Sequence, residues 1–269
     1  MPIVTFTSDY GWNDPDTAVV RGHLYTEMLR IKCAAPIVDI SHGILPRNHQ
    51  EAGYILGSSY SAFPRGSVHL VLVDCLEIRE TKLMAMELDG HFFLGLDHGG
   101  LSLIRPDLVP TQVVQIDLKN RLELQYTEAK LAAACAHLLN QGALSLLGPN
   151  MAQMEQMQVI HPEVKNGQTA IIHVQYIDHF GQIITNARKE WLANWQGGHR
   201  FQAIVRGRKI PALLQDAQQL NDPSLLYYRL NRYGYLEIGI SRPGGNRTNT
   251  AATLLGVSVF DPIELQIIT

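Results

Sequence analysis

Charge of either sign is scarce in this 269-residue chain: 17% of residues are charged and the formal net charge is −3. No basic run occurs, and basic residues do not interleave with aromatic ones. The sequence therefore lacks the electrostatic footprint of a nucleic-acid partner or an anionic membrane surface. Cysteine is scarce as well. Cys33, Cys75 and Cys135 are odd in number and far apart, which favours reduced thiols in a cytoplasmic protein over a disulfide framework. No stretch approaches the ~18 uninterrupted apolar residues of a membrane span, and the N-terminus lacks the basic and apolar regions of a signal peptide. Eleven histidines are present, but without HExxH or paired Cys/His spacing, so no metal site is expected. Glycine loops of the P-loop or GxGxxG type are missing, and so is the GxSxG elbow of a serine nucleophile.

What is present is an ordinary globular composition, 46% hydrophobic, long enough for one large domain or two moderate ones. The chain opens on a largely apolar run, Pro2 to Phe6, that breaks into Thr7-Ser8-Asp9-Tyr10-Gly11 and Asn13-Asp14-Pro15. This predicts a strand with a carboxylate at its C-terminal end and a turn permitted by Gly11. A helix follows, with Asp14 as N-cap and Pro15 at its first position. Helices are expected over 17–30, 48–62 and 126–139. Strands are expected over 37–40, 68–73 and 113–116, with a hairpin of 83–88 and 91–94 across Asp89-Gly90. Such alternation predicts a layered α/β domain over residues 1–150. Gly148-Pro149-Asn150 and the Met/Gln stretch after it read as a connection. From 168 to 269 short strands follow one another, predicting a smaller, mostly-β, barrel-like domain.

Several polar residues fall at predicted strand ends: Asp9, Asp39 with Ser41-His42, Asp74, and Asp97-His98. Ligands of open α/β sheets bind outside the carboxyl ends of the strands, so carboxylates gathered at one such edge would line an acidic cleft. The competing reading is that Asp9, and Asp39 with His42, only satisfy the backbone at turns. In the second half, Asp178 in Tyr176-Ile177-Asp178-His179-Phe180-Gly181 is either a hairpin turn residue or an acceptor for an ammonium beside an aromatic face.

The ordered set TSDYGxxDP, IVDISHGIxP with an EAG at Glu51, VHLVLVD ending at Asp74, GLDHGGLSL, YIDHFGQIITN and YGYLEI resembles the S-adenosylmethionine hydroxide adenosyltransferases, a family that includes the S-adenosylmethionine chlorinases and fluorinases. The resemblance implies an N-terminal α/β domain, a C-terminal barrel-like domain and a homotrimer with sites between subunits. It implies displacement of methionine from ribose C5′ by water, giving adenosine and L-methionine, with S-adenosylmethionine as substrate and no cofactor. It assigns Asp9 to the ribose hydroxyls, Asp178 to the amino group of the methionine moiety, and Phe180 and Gln182 to the nucleoside. Asp74 joins the water-orienting group, whose Arg position falls on Thr81 with Arg79 close by, and whose His position falls on Tyr126. The carboxylate-gripping Arg aligns with Tyr233. Arg47 stands where an aromatic residue is usual, and His98 where an Asn is.

Three functional readings follow. The first is a hydrolase of S-adenosylmethionine in which Asp74 and Arg79 orient water. The second is a related nucleoside-processing enzyme with an anionic substrate, drawn by Arg47, Arg79 and His98. The third is a non-catalytic trimeric nucleoside-binding protein that keeps Asp9 and Asp178.

Overall fold

Strand β1 (Val4–Ser8) is buried along its whole length, as the central strand of a sheet covered on both faces must be. In the computed structural model, which describes residues 2–75, 82–118, 124, 126–210, 225–241 and 250–268, it is followed by α1 (Asp16–Arg30), β2 (Ile37–Ser41), α2 (His49–Ser59) and β3 (Val68–Leu72). Strands β4 (Leu83–Leu88), β5 (His91–Leu96) and β6 (Gln112–Gln115) and helix α3 (Thr127–Leu139) complete the first half. The strand order is β2-β1-β3-β5-β4-β6. β1 pairs in parallel with β2 and β3, and β3 with β5, whereas β4 runs antiparallel to both neighbours. The β4–β5 hairpin turns on Asp89 and Gly90, both at positive φ (53° and 75°), the twist that suits a two-residue connection.

Side chains alternate across this sheet and split the core in two. Leu70 and Leu72 pack toward Val20, Leu24 and Met28 of α1 and the Ala-rich face of α3. Val71 and Val73 pack toward Ala52 and Leu56 of α2. The result is a three-layer α/β arrangement. The chain then splits into two compact units, Met1–Val159 and Ile160–Thr269.

The second unit contains β7 (Glu163–Val164), β8 (Thr169–Ile177), β9 (Ile183–Arg188), α4 (Lys189–Gln196), β10 (Arg200–Val205), β11 (Arg208–Lys209), β12 (Leu226–Leu230), β13 (Tyr235–Ile240), α5 (Ala251–Leu255) and β14 (Pro262–Ile268). Its strands pair antiparallel in the order β11-β10-β14-β8-β9-β13-β12, with β7 beside β8. The long β8 serves both halves of the sheet, pairing with β14 through Thr169–His173 and with β9 through Val174–Ile177. That sharing curls the sheet into a half-barrel around Ile172, Val174, Ile183, Ile238 and Leu265.

Some local expectations are corrected. The N-cap of α1 is Pro15, with no side-chain cap bond, so Asp14 does not cap it. Residues 149–157 do more than connect: Pro149 and Met151 exchange backbone bonds with Gln115 and Val113, and Met151 and Met154 pack on the α2-side core. The mostly-β reading of the second half placed no helix at α4, where Leu192 is buried and Trp191 stacks on Trp195 at 5.7 Å between ring centroids. The three cysteines are unbridged. No described helix is long and apolar enough to cross a membrane.

One buried group makes the stability of this fold depend on pH. His69 on β3 is fully buried, 2.7 Å from the Thr5 hydroxyl and 3.1 Å from His91. Burial pushes its pKa down from 6.5 to about 3, and His91 pushes in the same direction. The unfolded chain therefore binds a proton that the folded chain refuses, and stability falls as pH drops through this window. The limiting slope is about 1.4 kcal/mol per pH unit. Urea unfolding between pH 4 and 7 should show a weaker pH dependence in His69→Gln than in the parent chain. Parallel stability curves would contradict this assignment.

Candidate active site

Parallel pairing of β1 with β3, in register at Ser8 and Leu72, carries Asp9 and Asp74 out of the sheet side by side at its carboxyl edge. β1 lies between β2 and β3; the connection after β1 runs through α1 on one face of the sheet and that after β2 through α2 on the other, and the crevice at that switch point is where such sheets bind ligands. The Asp9 carboxylate accepts the backbone N–H of Arg47 at 2.8 Å and that of Asp74 at 3.1 Å, both on Oδ2. Arg47 and Asp74 both adopt left-handed backbone conformations, with φ of 63° and 58°. Such a conformation costs a non-glycine residue about 1–2 kcal/mol. One oxygen of Asp9 thus pins two strained turns.

The side chains of those turns then meet. Arg47 Nε lies 3.1 Å from Asp74 Oδ1, and His49 Nε2 lies 3.6 Å from Asp74 Oδ2. The local sequence explains the placement. Asn48 caps α2 by accepting the Glu51 N–H at 3.1 Å, while the Glu51 carboxylate takes the Asn48 amide and the Leu45 N–H, a variant of the capping box. Glu51 in the EAG motif therefore clamps the loop that presents Arg47 and His49. Burial raises the Glu51 pKa.

Asp39 and His42 form a neighbouring network. His42 Nδ1 is 2.7 Å from the Ser8 hydroxyl, its Nε2 is 3.0 Å from Asp39, and Arg21 holds the other Asp39 oxygen at 2.6 Å. This has the connectivity of a Ser–His–Asp relay, but Ser8 and His42 are fully buried, so no substrate reaches the hydroxyl. Its role is to tie the end of β1 to the loop after β2, with Gly11 N–H also donating to the His42 carbonyl. These residues satisfy one another's side chains more than the backbone. Asp97 is structural too: its carboxylate accepts the Glu155 N–H at 2.8 Å.

In the second unit Asp178 Oδ1 accepts the N–H groups of Phe180 and Gln182 at 2.9 and 2.8 Å. The turn residue Gly181 has φ +70°, and a Cβ there would stand 2.2 Å from Thr250 Cβ, so only glycine fits. Phe180 projects with 69% of its surface exposed, while Gln182 Oε1 is buried with no partner among the described residues. A buried acceptor of this kind is costly unless something fills it. Tyr233 stands apart. It precedes Tyr235, which pairs with Arg188 at the far end of β9, whereas Gln182 adjoins Ile183 at the near end. The separation along β9 is roughly 17 Å at ~3.4 Å per residue, so Tyr233 does not join Asp178, Phe180 and Gln182 within one chain.

Residues 4–148 match the family model described as the SAM hydroxide adenosyltransferase N-terminal domain, and residues 172–264 match that of its C-terminal domain. The chain belongs to the SAM hydroxide adenosyltransferase family. Among its relatives, the (R)-S-adenosyl-L-methionine hydrolase of Methanocaldococcus jannaschii is 27% identical, covering 98% of this chain and 96% of that protein. Two solved structures share the fold: an uncharacterized conserved protein from Thermotoga maritima, with TM-score 0.84, 22% identity and coverage of 98% and 100%, and a conserved hypothetical protein from Thermus thermophilus, with TM-score 0.73, 23% identity and full coverage of both chains.

Arg79 and Thr81 lie outside the described residues, and Tyr126 is an exposed residue at the N-cap of α3. Arg47 is not a spare cation awaiting an anionic ligand, since Asp74 already engages it. His98 is likewise committed, with Nε2 3.0 Å from the Val73 carbonyl and Nδ1 accepting the Gly100 N–H. His49 went unrecognised in the sequence, although a polar residue directly after a helix N-cap beside a binding edge was the available signal.

The Asp9 geometry predicts a graded mutational response. Asp9→Ala removes the acceptor for two N–H groups and should destabilise the chain by roughly 1.5–3 kcal/mol, the scale of hydrogen bonds to a charged group. Asp9→Asn keeps an oxygen acceptor and should fall between. Urea unfolding of the three proteins tests the order, and equal stabilities would contradict it.

Proposed function

We propose that the protein hydrolyses S-adenosylmethionine to adenosine and L-methionine. The observation that carries this reading is Asp74: a partly exposed carboxylate at the C-terminal end of β3, beside Asp9, paired with Arg47 on one oxygen and faced by His49 at 3.6 Å on the other. In the proposed step Asp74 accepts a hydrogen bond from water and aims it at ribose C5′. The water oxygen forms a bond to that carbon, the C5′–S bond breaks, and its electron pair neutralises the sulfonium as methionine's thioether. The attacking water gives up one proton through Asp74 to solvent. A sulfonium leaves without protonation, so neither an acid nor a cofactor is required; positioning and removal of hydration supply the acceleration. A halide is a poor alternative nucleophile, because Asp74 would repel it at short range.

The binding roles follow donor and acceptor chemistry. Asp9 commits Oδ2 to the chain, and its other oxygen suits a ribose diol. Phe180 offers a ring face to the nucleoside, Gln182 at the same turn suits the adenine edge, and Asp178 suits the methionine ammonium. We place the ligand between the first unit of one subunit and the second unit of its neighbour in a homotrimer. The apolar outer face of α1, with Val19, Tyr25 and Leu29 exposed, is consistent with assembly. The odd, unbridged cysteines support a cytoplasmic setting.

Incubation with S-adenosylmethionine should release adenosine and methionine in equal amounts. Asp74→Asn should lower kcat by about 10²–10⁴-fold, the range for a lost proton acceptor, while calorimetry still detects ligand binding. Binding without product in the parent chain would instead favour a non-catalytic nucleoside-binding protein. Light scattering should give three times the 30.0 kDa chain mass; a monomer that still turns over substrate would refute the interfacial site.

A further inference from the structure

Asp74 does its proposed work from an awkward position. Its backbone is left-handed, its side chain is partly exposed, and a carboxylate there would swing between several orientations unless held. Arg47 holds one oxygen, but the Arg47 side chain is itself 63% exposed, and exposed ion pairs hold weakly. The other oxygen faces His49, whose side chain is 9% exposed.

The His49 ring is seated from several sides. His98 packs against it with centroids 4.4 Å apart, and His98 is itself locked by the Val73 carbonyl and the Gly100 N–H. Gly100 closes another side: a Cβ on it would stand 2.7 Å from His49 Nδ1. Val71, Leu56, Leu96 and Leu101 line the space behind the two rings. A residue with such a fitted seat, its far nitrogen turned to a carboxylate at the binding edge, has a role that packing alone does not need. The seat itself is built of groups that the capping of α2 does not use.

We infer that His49 is a positioning residue that fixes the Asp74 carboxylate, with Gly100 and His98 as its cradle. Its Nε2 faces Asp74 Oδ2 across 3.6 Å, within a small ring shift of donating to it, and Arg47 steadies Oδ1. The charged and titratable groups facing it are Asp74, Asp9 and His98, with Arg47 beside them. Burial and His98 lower the His49 pKa while Asp74 and Asp9 raise it, with the lowering causes the larger. The ring is therefore neutral near pH 7 and acts as a hydrogen-bond donor. Assigning this to turnover rests on the hydrolase reading; the contact with Asp74 does not.

The test pairs an activity measurement with one that needs no activity. His49→Leu should lower kcat for S-adenosylmethionine roughly ten- to a hundred-fold, the cost of small misplacement, with KM changed less than about threefold. His49→Gln, which retains an N–H donor, should recover part of the loss. Gly100→Ala, which pushes the ring off its seat, should reproduce the defect in milder form. In the ligand-free protein, the His49 ring followed by NMR should titrate at lower pH in Asp74→Asn than in the parent, because the carboxylate raises its pKa. Circular dichroism and thermal midpoints identify any variant that has merely failed to fold, and His49→Gln is then the deciding protein. An unchanged His49 titration in folded Asp74→Asn overturns the inference whatever the activity. A shifted titration in a protein that releases no adenosine upholds the contact and retires the hydrolase reading instead.

Discussion

A single carboxylate oxygen, Asp9 Oδ2, receives the backbone N–H groups of Arg47 and Asp74, and the candidate site depends on that junction. Both donors are non-glycine residues in the left-handed region, which neither loop would favour alone. A charged acceptor makes each hydrogen bond stronger than a neutral one, and two such bonds offset the strain of two turns. The reward is geometric. With both turns fixed, the Arg47 guanidinium, the His49 ring and the Asp74 carboxylate converge from loops far apart in sequence.

Sheet topology makes the junction possible. Because β1 lies between β2 and β3, the carboxyl ends of three parallel strands open around one crevice. The loop after β2 reaches it because Glu51 folds Leu45 and Asn48 back onto the start of α2. The Ser8–His42–Asp39–Arg21 network braces the same loop from within the protein. Its members resemble a nucleophilic relay in connectivity, but burial decides otherwise: a hydroxyl with no exposed surface can support a structure and cannot attack a substrate.

The second unit uses a different device. Asp178 folds its own turn by accepting two N–H groups on one oxygen, and Gly181 lets that turn press against Thr250 at the start of α5. The turn role of Asp178 uses one carboxylate oxygen for both N–H groups. The register of β9 with β13 sets Gln182 at one end of β9 and carries Tyr233 to the other.

Much of the architecture was legible in the sequence. Period-two and continuous apolar runs mark β1, β3, the β4–β5 hairpin, β8 and β13, because strand periodicity and burial are properties of neighbouring residues. The ordered motifs identify the family, Asp9 and Asp74 stand out as polar residues at strand ends, and Gln182 is singled out only by the resemblance. Helix α4 was missed although Trp191, Leu192 and Trp195 stand at helical spacing, because the segment is short and lies among strands. What linear order could not decide is which groups share a space. Whether Arg47 faces a ligand or Asp74, whether Asp39 and His42 serve catalysis or packing, and whether Tyr233 sits near Phe180 all turn on strand register and loop conformation. Those are set by long-range pairing, here the parallel docking of β1 between β2 and β3, and no stretch of local sequence encodes them. His49 illustrates the division: its helix start is written in Asn48 and Glu51, while its partner Asp74, 25 positions onward, is chosen only when the sheet closes.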